Sequence, residues 1–267
     1  MKRFIPFLKS DPVVAVIRLQ GVIASQGRGA SLNDEAMAGV IEKAFRRGKP
    51  KAVALVINSP GGSPVQSSLI AARIRRLADE KDMPVHAFVE DVAASGGYWL
   101  ACAADHIWVD ASSIVGSIGV ISSGFGFHEL IGRYGIERRV YTAGKDKSML
   151  DPFRPERPED IKRLKSLQAQ IHDAFIAHVK ARRGDRLGDD DNLFSGEFWV
   201  GSSGVDLGLA DGIGHLVPKM KALYGDKTRF AAYGPRRSLF QRFGAQVSDA
   251  AIGQVEDRAH WARFGLS

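Results

Sequence analysis

Ala52-Val-Ala-Leu-Val-Ile-Asn-Ser-Pro-Gly-Gly-Ser-Pro-Val-Gln66 decides the fold. Six uninterrupted apolar residues read as a strand buried on both faces, and Asn58-Ser-Pro-Gly-Gly62 is a turn built from residues that tolerate unusual backbone angles. Ser63-Pro64-Val65-Gln66 then reads as a capping box with proline at the first helical position, opening a helix that carries Leu69, Ile70, Ile74 and Leu77. Strand, turn and helix in this order form the repeating unit of a parallel α/β sheet.

The neighbours repeat the pattern. Val13–Ile17 reads as a strand, residues 21–30 as a glycine-rich loop, and residues 31–47 as a helix capped by Ser31 or Asn33, with Met37, Val40, Ile41, Ala44 and Phe45 on one face. Val85–Val89 is the third strand, a short helix runs through Ala103, and Ile107–Val109 and residues 114–121 are further strands. A short strand is predicted at Arg138–Tyr141, then a loop at Thr142–Leu150. A long helix over Pro158–Arg183 carries a stripe of Ile161, Leu164, Leu167, Ile171, Phe175 and Val179. The stretch 194–214 returns toward the sheet, and Pro235 marks the end of the main domain. The expected organisation is a domain over 1–234 and a basic, amphipathic tail over 235–267, with a mostly parallel sheet flanked by helices on both faces.

In such sheets the site lies at the carboxyl ends of the strands. Asn58–Gly62 falls there, and so does Asp91-Val-Ala-Ala-Ser-Gly-Gly-Tyr-Trp99. The latter places the Ser95 hydroxyl at a helix N-terminus, where backbone N–H groups and the helix dipole favour negative charge, and the Gly-Gly turn offers a second flexible backbone able to aim another N–H at the same point. Together they read as a serine nucleophile with an oxyanion hole.

Composition narrows the alternatives. The 267 residues, 45% hydrophobic and 25% charged, are ordinary globular material, which excludes extensive disorder. Cys102 is the single cysteine and sits in an apolar segment, so disulfide and redox chemistry drop out. No apolar stretch approaches the roughly 18 to 20 residues of a membrane span, so the expectation is a cytoplasmic chain. The net charge of +7 comes from scattered basic residues with no nucleic-acid-binding motif, and no nucleic-acid partner is expected. The local excess is in the tail, where Arg236, Arg237, Arg242, Arg258 and Arg263 interleave with Leu239, Phe240, Phe243, Val247, Ile252, Trp261 and Phe264. That pattern suits peripheral contact with anionic lipid or packing at a subunit contact.

A serine hydroxyl needs a base. None of the seven histidines has a motif neighbourhood, although His128 lies at a chain distance that a Ser-His-Asp arrangement uses. Lysine is the alternative, and since a free lysine, pKa about 10.4, is almost fully charged at neutral pH, a general-base lysine has to be desolvated. Lys147 is followed closely by Met149, Leu150 and Phe153, and Lys145 is its rival.

Asn58–Ser63, Asp91–Tyr98, Val115-Gly-Ser-Ile-Gly-Val120 and Gly144-Lys-Asp-Lys-Ser-Met-Leu-Asp-Pro152, with a later Gly204-Val-Asp-Leu-Gly-Leu-Ala-Asp-Gly-Ile-Gly214, follow one another in an order that resembles the short bacterial form of signal peptide peptidase SppA and its SohB-like relatives. The resemblance covers about residues 12–220. It implies a Clp protease/crotonase-like α/β fold and a Ser-Lys dyad with Ser95 as nucleophile and Lys147 as general base. It further implies that Ser117 orients the lysine and that the N–H groups of Gly62 and Gly96 form the oxyanion hole, with no metal or other cofactor. Val65, Tyr98, Trp99 and Ile118 are candidate walls of a substrate groove. The implied substrates are short peptides such as signal-peptide remnants, cut after small or apolar residues. The implied assembly is a ring or dome of like subunits in which serine and lysine come from neighbours. Many members of that family carry an N-terminal membrane anchor, and nothing in this sequence matches one, which leaves the tail as the candidate for contact with the inner membrane. Two other readings fit part of the sequence. A crotonase-like acyl-CoA enzyme would use paired amides without a nucleophile at position 95, and a non-catalytic peptide-binding scaffold would not need Ser95 and Lys147 intact.

Overall fold

The computed structural model describes residues 11–25, 31–144, 146–234 and 261–266. Eight strands are present among them: β1 (Val13–Gln20), β2 (Ala52–Ser59), β3 (Val85–Ala94), β4 (His106–Val109), β5 (Ile114–Gly116), β6 (Phe198–Val200), β7 (Gly212–Ile213) and β8 (Arg229–Tyr233). They lie in the order β6-β5-β3-β2-β1-β8, and β4, with β7 beyond it, shares with β5 the outer edge of β3. Every pairing is parallel except β5 with β6. The helices are α1 (Asp34–Arg46), α2 (Pro64–Lys81), α3 (Gly96–Ala101), α4 (His128–Arg133), α5 (Pro158–Arg183), α6 (Gly201–Asp206) and α7 (Leu216–Tyr224).

The chain divides into two units, residues 1–118 with 176–267, and residues 119–175. In the first, β2 is buried along its whole length, as its six-residue apolar run demands. Side chains of β1–β3 alternate between two faces. Val14, Val16, Ala54, Val56 and Phe88 pack with Met220, Leu216 and Tyr224 of α7, while α1 packs on β1 and β8, α3 packs on β2 and β3, and α2 packs on both α1 and α3. Trp261 and Phe264, from the tail, pack against Val92, Ala94 and Ile114. The remaining tail residues named above, apart from Arg263, lie outside the described residues.

Several local expectations are revised. Asn33, not Ser31, caps α1, accepting from the Ala36 N–H at 2.8 Å. Ser63 caps α2 as expected, but the Gln66 side chain accepts from the Asp34 N–H at 2.9 Å and so joins two helices instead of closing a capping box. The strand expected over 114–121 stops at Gly116, because Gly116 and Ser117 adopt φ of 102° and 51°, outside extended geometry. No strand forms at Arg138–Tyr141; Arg138 and Arg139 instead pair with Asp151 and Glu137, and no neighbouring strand offers a ladder. Of the α5 stripe, Phe175 and Val179 are buried, whereas Ile171 is 38% exposed.

The second unit contains α4, the first part of α5 and connecting chain. The Phe127 N–H donates to the Pro152 carbonyl, and its ring stacks on Phe153 at 5.6 Å.

Candidate active site

Ser95 sits between β3 and α3 at φ 51° and ψ −120°, a conformation that costs a residue with a side chain roughly 1–3 kcal/mol. Packing on both sides imposes it: the Ser95 N–H donates to the Gly116 carbonyl at 2.8 Å, and the Ser95 carbonyl accepts from the Trp99 N–H at 3.0 Å. The half-buried side chain makes no capping hydrogen bond to α3.

The Asn58–Gly62 turn lies directly against it. A Cβ on Gly61 would fall 2.9 Å from both the Ser95 Cβ and the Gly96 nitrogen, and one on Gly96 would fall 3.3 Å from the Gly62 nitrogen. Gly62, at φ 139°, has to be glycine, since a side chain there would run into the Ile23 carbonyl. The Ile23 N–H donates to the Gly61 carbonyl at 2.8 Å, and the Ser63 N–H donates to the Ile23 carbonyl at 2.7 Å. In a planar trans peptide the C=O and N–H point to opposite sides, so fixing the Gly61 carbonyl toward Ile23 turns the Gly62 N–H away from Ile23. The Gly96 N–H, at the first position of α3, has no intrahelical acceptor. Among the described residues no acceptor is recorded for either donor. Two N–H groups beside a serine hydroxyl can bind a developing oxyanion.

Ser117 lies beside this turn, since Gly116 pairs in register with Ala94 and accepts from Ser95. Ser117 is 6% exposed and its N–H is held by the Glu197 carbonyl at 2.6 Å. The first unit thus brings together Ser95, Gly96, Gly62 and Ser117. Lys147 belongs to the second unit, in an exposed turn where its N–H donates to the Gly144 carbonyl at 3.3 Å. The apolar neighbours expected to shield it do not do so within one chain. Lys145 lies outside the described residues.

The histidines of the first unit are occupied elsewhere. His86 stands nine residues before Ser95 on β3, about 30 Å away at strand spacing. His106 stacks on it. The His178 ring stacks on Trp99 at 4.9 Å, with Nε2 3.2 Å from the Trp99 carbonyl. His215 pairs with Asp110. His128 is in the second unit, and His260 lies outside the described residues. Of the expected groove walls, Tyr98 and Ile118 are core residues, and the Tyr98 hydroxyl donates to the Leu209 carbonyl at 2.8 Å. Trp99 is 8% exposed, and Val65 alone stands well out, at 64%. Burial pushes the Cys102 thiol up to about 12, which removes it as a nucleophile.

The model of peptidase family S49 matches residues 78–224, more than half of the chain and across the Ser95 turn. The chain belongs to peptidase family S49. A chloroplast serine protease SPPA from Arabidopsis thaliana is 30% identical over 209 residues, covering 76% of this chain and 31% of that protein. A protein of Brucella melitensis named Na(+)/H(+) antiporter NhaA is 48% identical over an alignment of 286 residues that takes in all of this chain but only 39% of that protein. The chain therefore spans well under half the length of these relatives. Among solved structures, a mutant of the 1510-N membrane-bound stomatin-specific protease in complex with a substrate peptide superposes with a TM-score of 0.53 at 14% identity, covering 93% of this chain and 100% of that one. The fold shared with that structure is α/β, a mostly parallel sheet flanked by helices.

Sequence reasoning missed Ser59, Ile23 and the Glu197 carbonyl. Ser59 stood inside a motif already singled out, but only the paired loops reveal what its hydroxyl holds.

Proposed function

We propose that this chain is a serine endopeptidase that cleaves short peptides, signal-peptide remnants among them, after small or apolar residues. The observation that carries the reading is the placement of the half-buried Ser95 side chain beside the Gly62 and Gly96 N–H groups. Ser95 Oγ attacks the scissile carbonyl as its proton passes to the Lys147 amine, and the new oxyanion is held by the two N–H groups. Collapse breaks the C–N bond and the leaving amine takes the proton from Lys147; water then releases the acyl group by the same steps. Ser117 orients the Lys147 amine.

Lys147 is exposed in the single chain, so its amine needs a second surface to exclude water. The second unit supports like-with-like assembly, because it presents large apolar residues to solvent, among them Phe125 at 81% and Tyr141 at 91% exposed. We assign these to contacts between copies, with serine and lysine shared across protomers. A place at a membrane surface is supported by the Brucella relative, in which a stretch similar to this whole chain is part of a protein named as an antiporter. No helix among the described residues is long and apolar enough to cross a membrane.

A fluorophosphonate probe tests the reading. The wild type is labelled and hydrolyses a peptide library; Ser95→Ala loses label and at least about 10⁴-fold in turnover. Lys147→Ala loses turnover and Lys145→Ala keeps it. An assembled wild type that takes no label refutes the peptidase and favours an acyl-CoA enzyme or a scaffold.

A further inference from the structure

Ser59 ends β2 and is fully buried, and its hydroxyl uses both of its capacities on loop backbone. Oγ–H donates to the Gly21 carbonyl at 2.7 Å and Oγ accepts from the Gly61 N–H at 3.2 Å. The β2–β3 ladder shifts register between Ile57 and Ser59, so regular strand pairing ends where these bonds begin. On the other side, the Gly21 N–H donates to the Asn58 carbonyl at 3.0 Å. Gly21 is thereby clamped to β2 through both its N–H and its carbonyl, and the Ile23 that follows it fixes the Gly61 carbonyl.

We infer that Ser59 is a positioning residue for the oxyanion hole. Gly61 and Gly62, at φ of 103° and 139°, lie in a region that glycine enters and leaves at little cost. A Gly-Gly turn with loose ends would let the Gly61–Gly62 peptide rotate and carry the Gly62 N–H off target. Two successive peptide planes are held instead: the one ending in the Gly61 N–H by Ser59 Oγ, and the one containing the Gly62 N–H through its carbonyl by Ile23. The same hydroxyl, through Gly21, holds the loop that carries Ile23. Preorganisation of this kind separates a donor aimed at a transition state from one that must be ordered during reaction.

The inference rests on the peptidase reading, and its test separates the two. Ser59→Ala is compared with the wild type for kcat, KM and affinity for a peptide aldehyde, whose tetrahedral adduct with Ser95 needs the oxyanion donors. Ser113→Ala is the control, because Ser113 is also a buried hydroxyl bridging backbone, from the Asp110 N–H to the Val89 and Glu90 carbonyls. The expected result for Ser59→Ala is a kcat about 10- to 100-fold lower, KM within about threefold, and aldehyde affinity reduced in parallel with kcat, while Ser113→Ala keeps kcat within about threefold. Unchanged kcat in Ser59→Ala, or lost kcat with intact aldehyde affinity, overturns the positioning role alone. A wild type without Ser95-dependent turnover overturns the peptidase reading and this inference with it. Should Ser59→Ala fail to fold, amide exchange in the wild type decides: the Gly61 N–H is expected to exchange at least about 100-fold more slowly than the Gly62 N–H, and equal rates overturn the proposal.

Discussion

The two units of this chain are built on opposite terms. In the first, β2 and most side chains of β1 and β3 are sealed in a core, and the loops at their carboxyl ends are stitched to one another by backbone hydrogen bonds. In the second, Asp160 and Phe175 are the buried residues among those described, while Ile121, Phe125, Leu130, Tyr134, Ile136 and Tyr141 are exposed. An oxyanion hole made of main-chain donors needs only a rigid backbone, and one folded sheet supplies that. A lysine that must be kept from water needs covering surface, which the second unit does not supply by itself. On the proposed function, the nucleophile and its donors come from folding and the base comes from assembly.

The largest effect on the fold should come from removing an ion pair of the first unit. Arg183, almost fully buried, donates from Nη1 and Nη2 to Asp211 at 2.9 and 3.2 Å and from Nε to the Gly208 carbonyl at 2.9 Å. Burial alone would push the Asp211 carboxyl up; the hydrogen bonds from Arg183, joined by the Ile107 N–H and Arg186, bring it below its ordinary value. Arg183→Leu removes the buried partner of that carboxylate, leaving it to the Ile107 N–H and the more exposed Arg186, and should cost about 3 kcal/mol in urea unfolding. Arg157 grips Asp160 of the second unit with a similar fork but is itself one-third exposed, and Arg157→Leu should cost much less. Equal losses would erase the contrast between the units.

Acid probes the first unit from the other end of its sheet. His86 is 4% exposed, its Nε2 meets the Tyr224 hydroxyl at 3.2 Å, and its Nδ1 has no partner among the described residues. Burial, then the neighbouring His106, lowers its pKa to about 4. The unfolded chain, with a histidine near 6.5, binds the proton first, so stability is complete above about pH 6.5 and declines as pH falls toward 4. The decline attributable to this residue is about 3 kcal/mol. His86→Phe should flatten the unfolding free energy between pH 6.5 and 4 by about that amount relative to wild type. His178, also lowered by burial, stays in both proteins and cancels in the comparison.

These contrasts explain what the residues disclosed and what they withheld. Buried strands were legible because apolar runs such as Ala52–Ile57 are local signals, and the strand-to-helix turn at Ser95 was legible because an apolar strand running through Ser-Gly-Gly into an apolar helix is a local signal too. The end of β5 was not, since the positive φ of Ser117 is set by Glu197, eighty residues on, and by Trp199 packing against Gly116. Gln66 kept the sequence of a capping box but found a stronger claim on its oxygen in the neighbouring helix. The exposure of Lys147 was hidden for another reason: apolar neighbours in sequence say that a surface is sticky, not which molecule covers it.

The smallest effect on the single chain, and the sharpest on assembly, belongs to the exposed aromatics of the second unit. Phe125 and Tyr141 bury little within their own chain, so Phe125→Ser with Tyr141→Ser should move the unfolding free energy by no more than about 0.5 kcal/mol. If these side chains are covered by another copy, the same double substitution removes a large apolar contact area from the interface. Sedimentation should then show a smaller particle, and peptide turnover should fall with particle mass while each chain stays folded. A double variant that keeps its wild-type mass and its turnover would mean that this apolar surface serves something other than self-association, and the Lys147 amine would need a different cover.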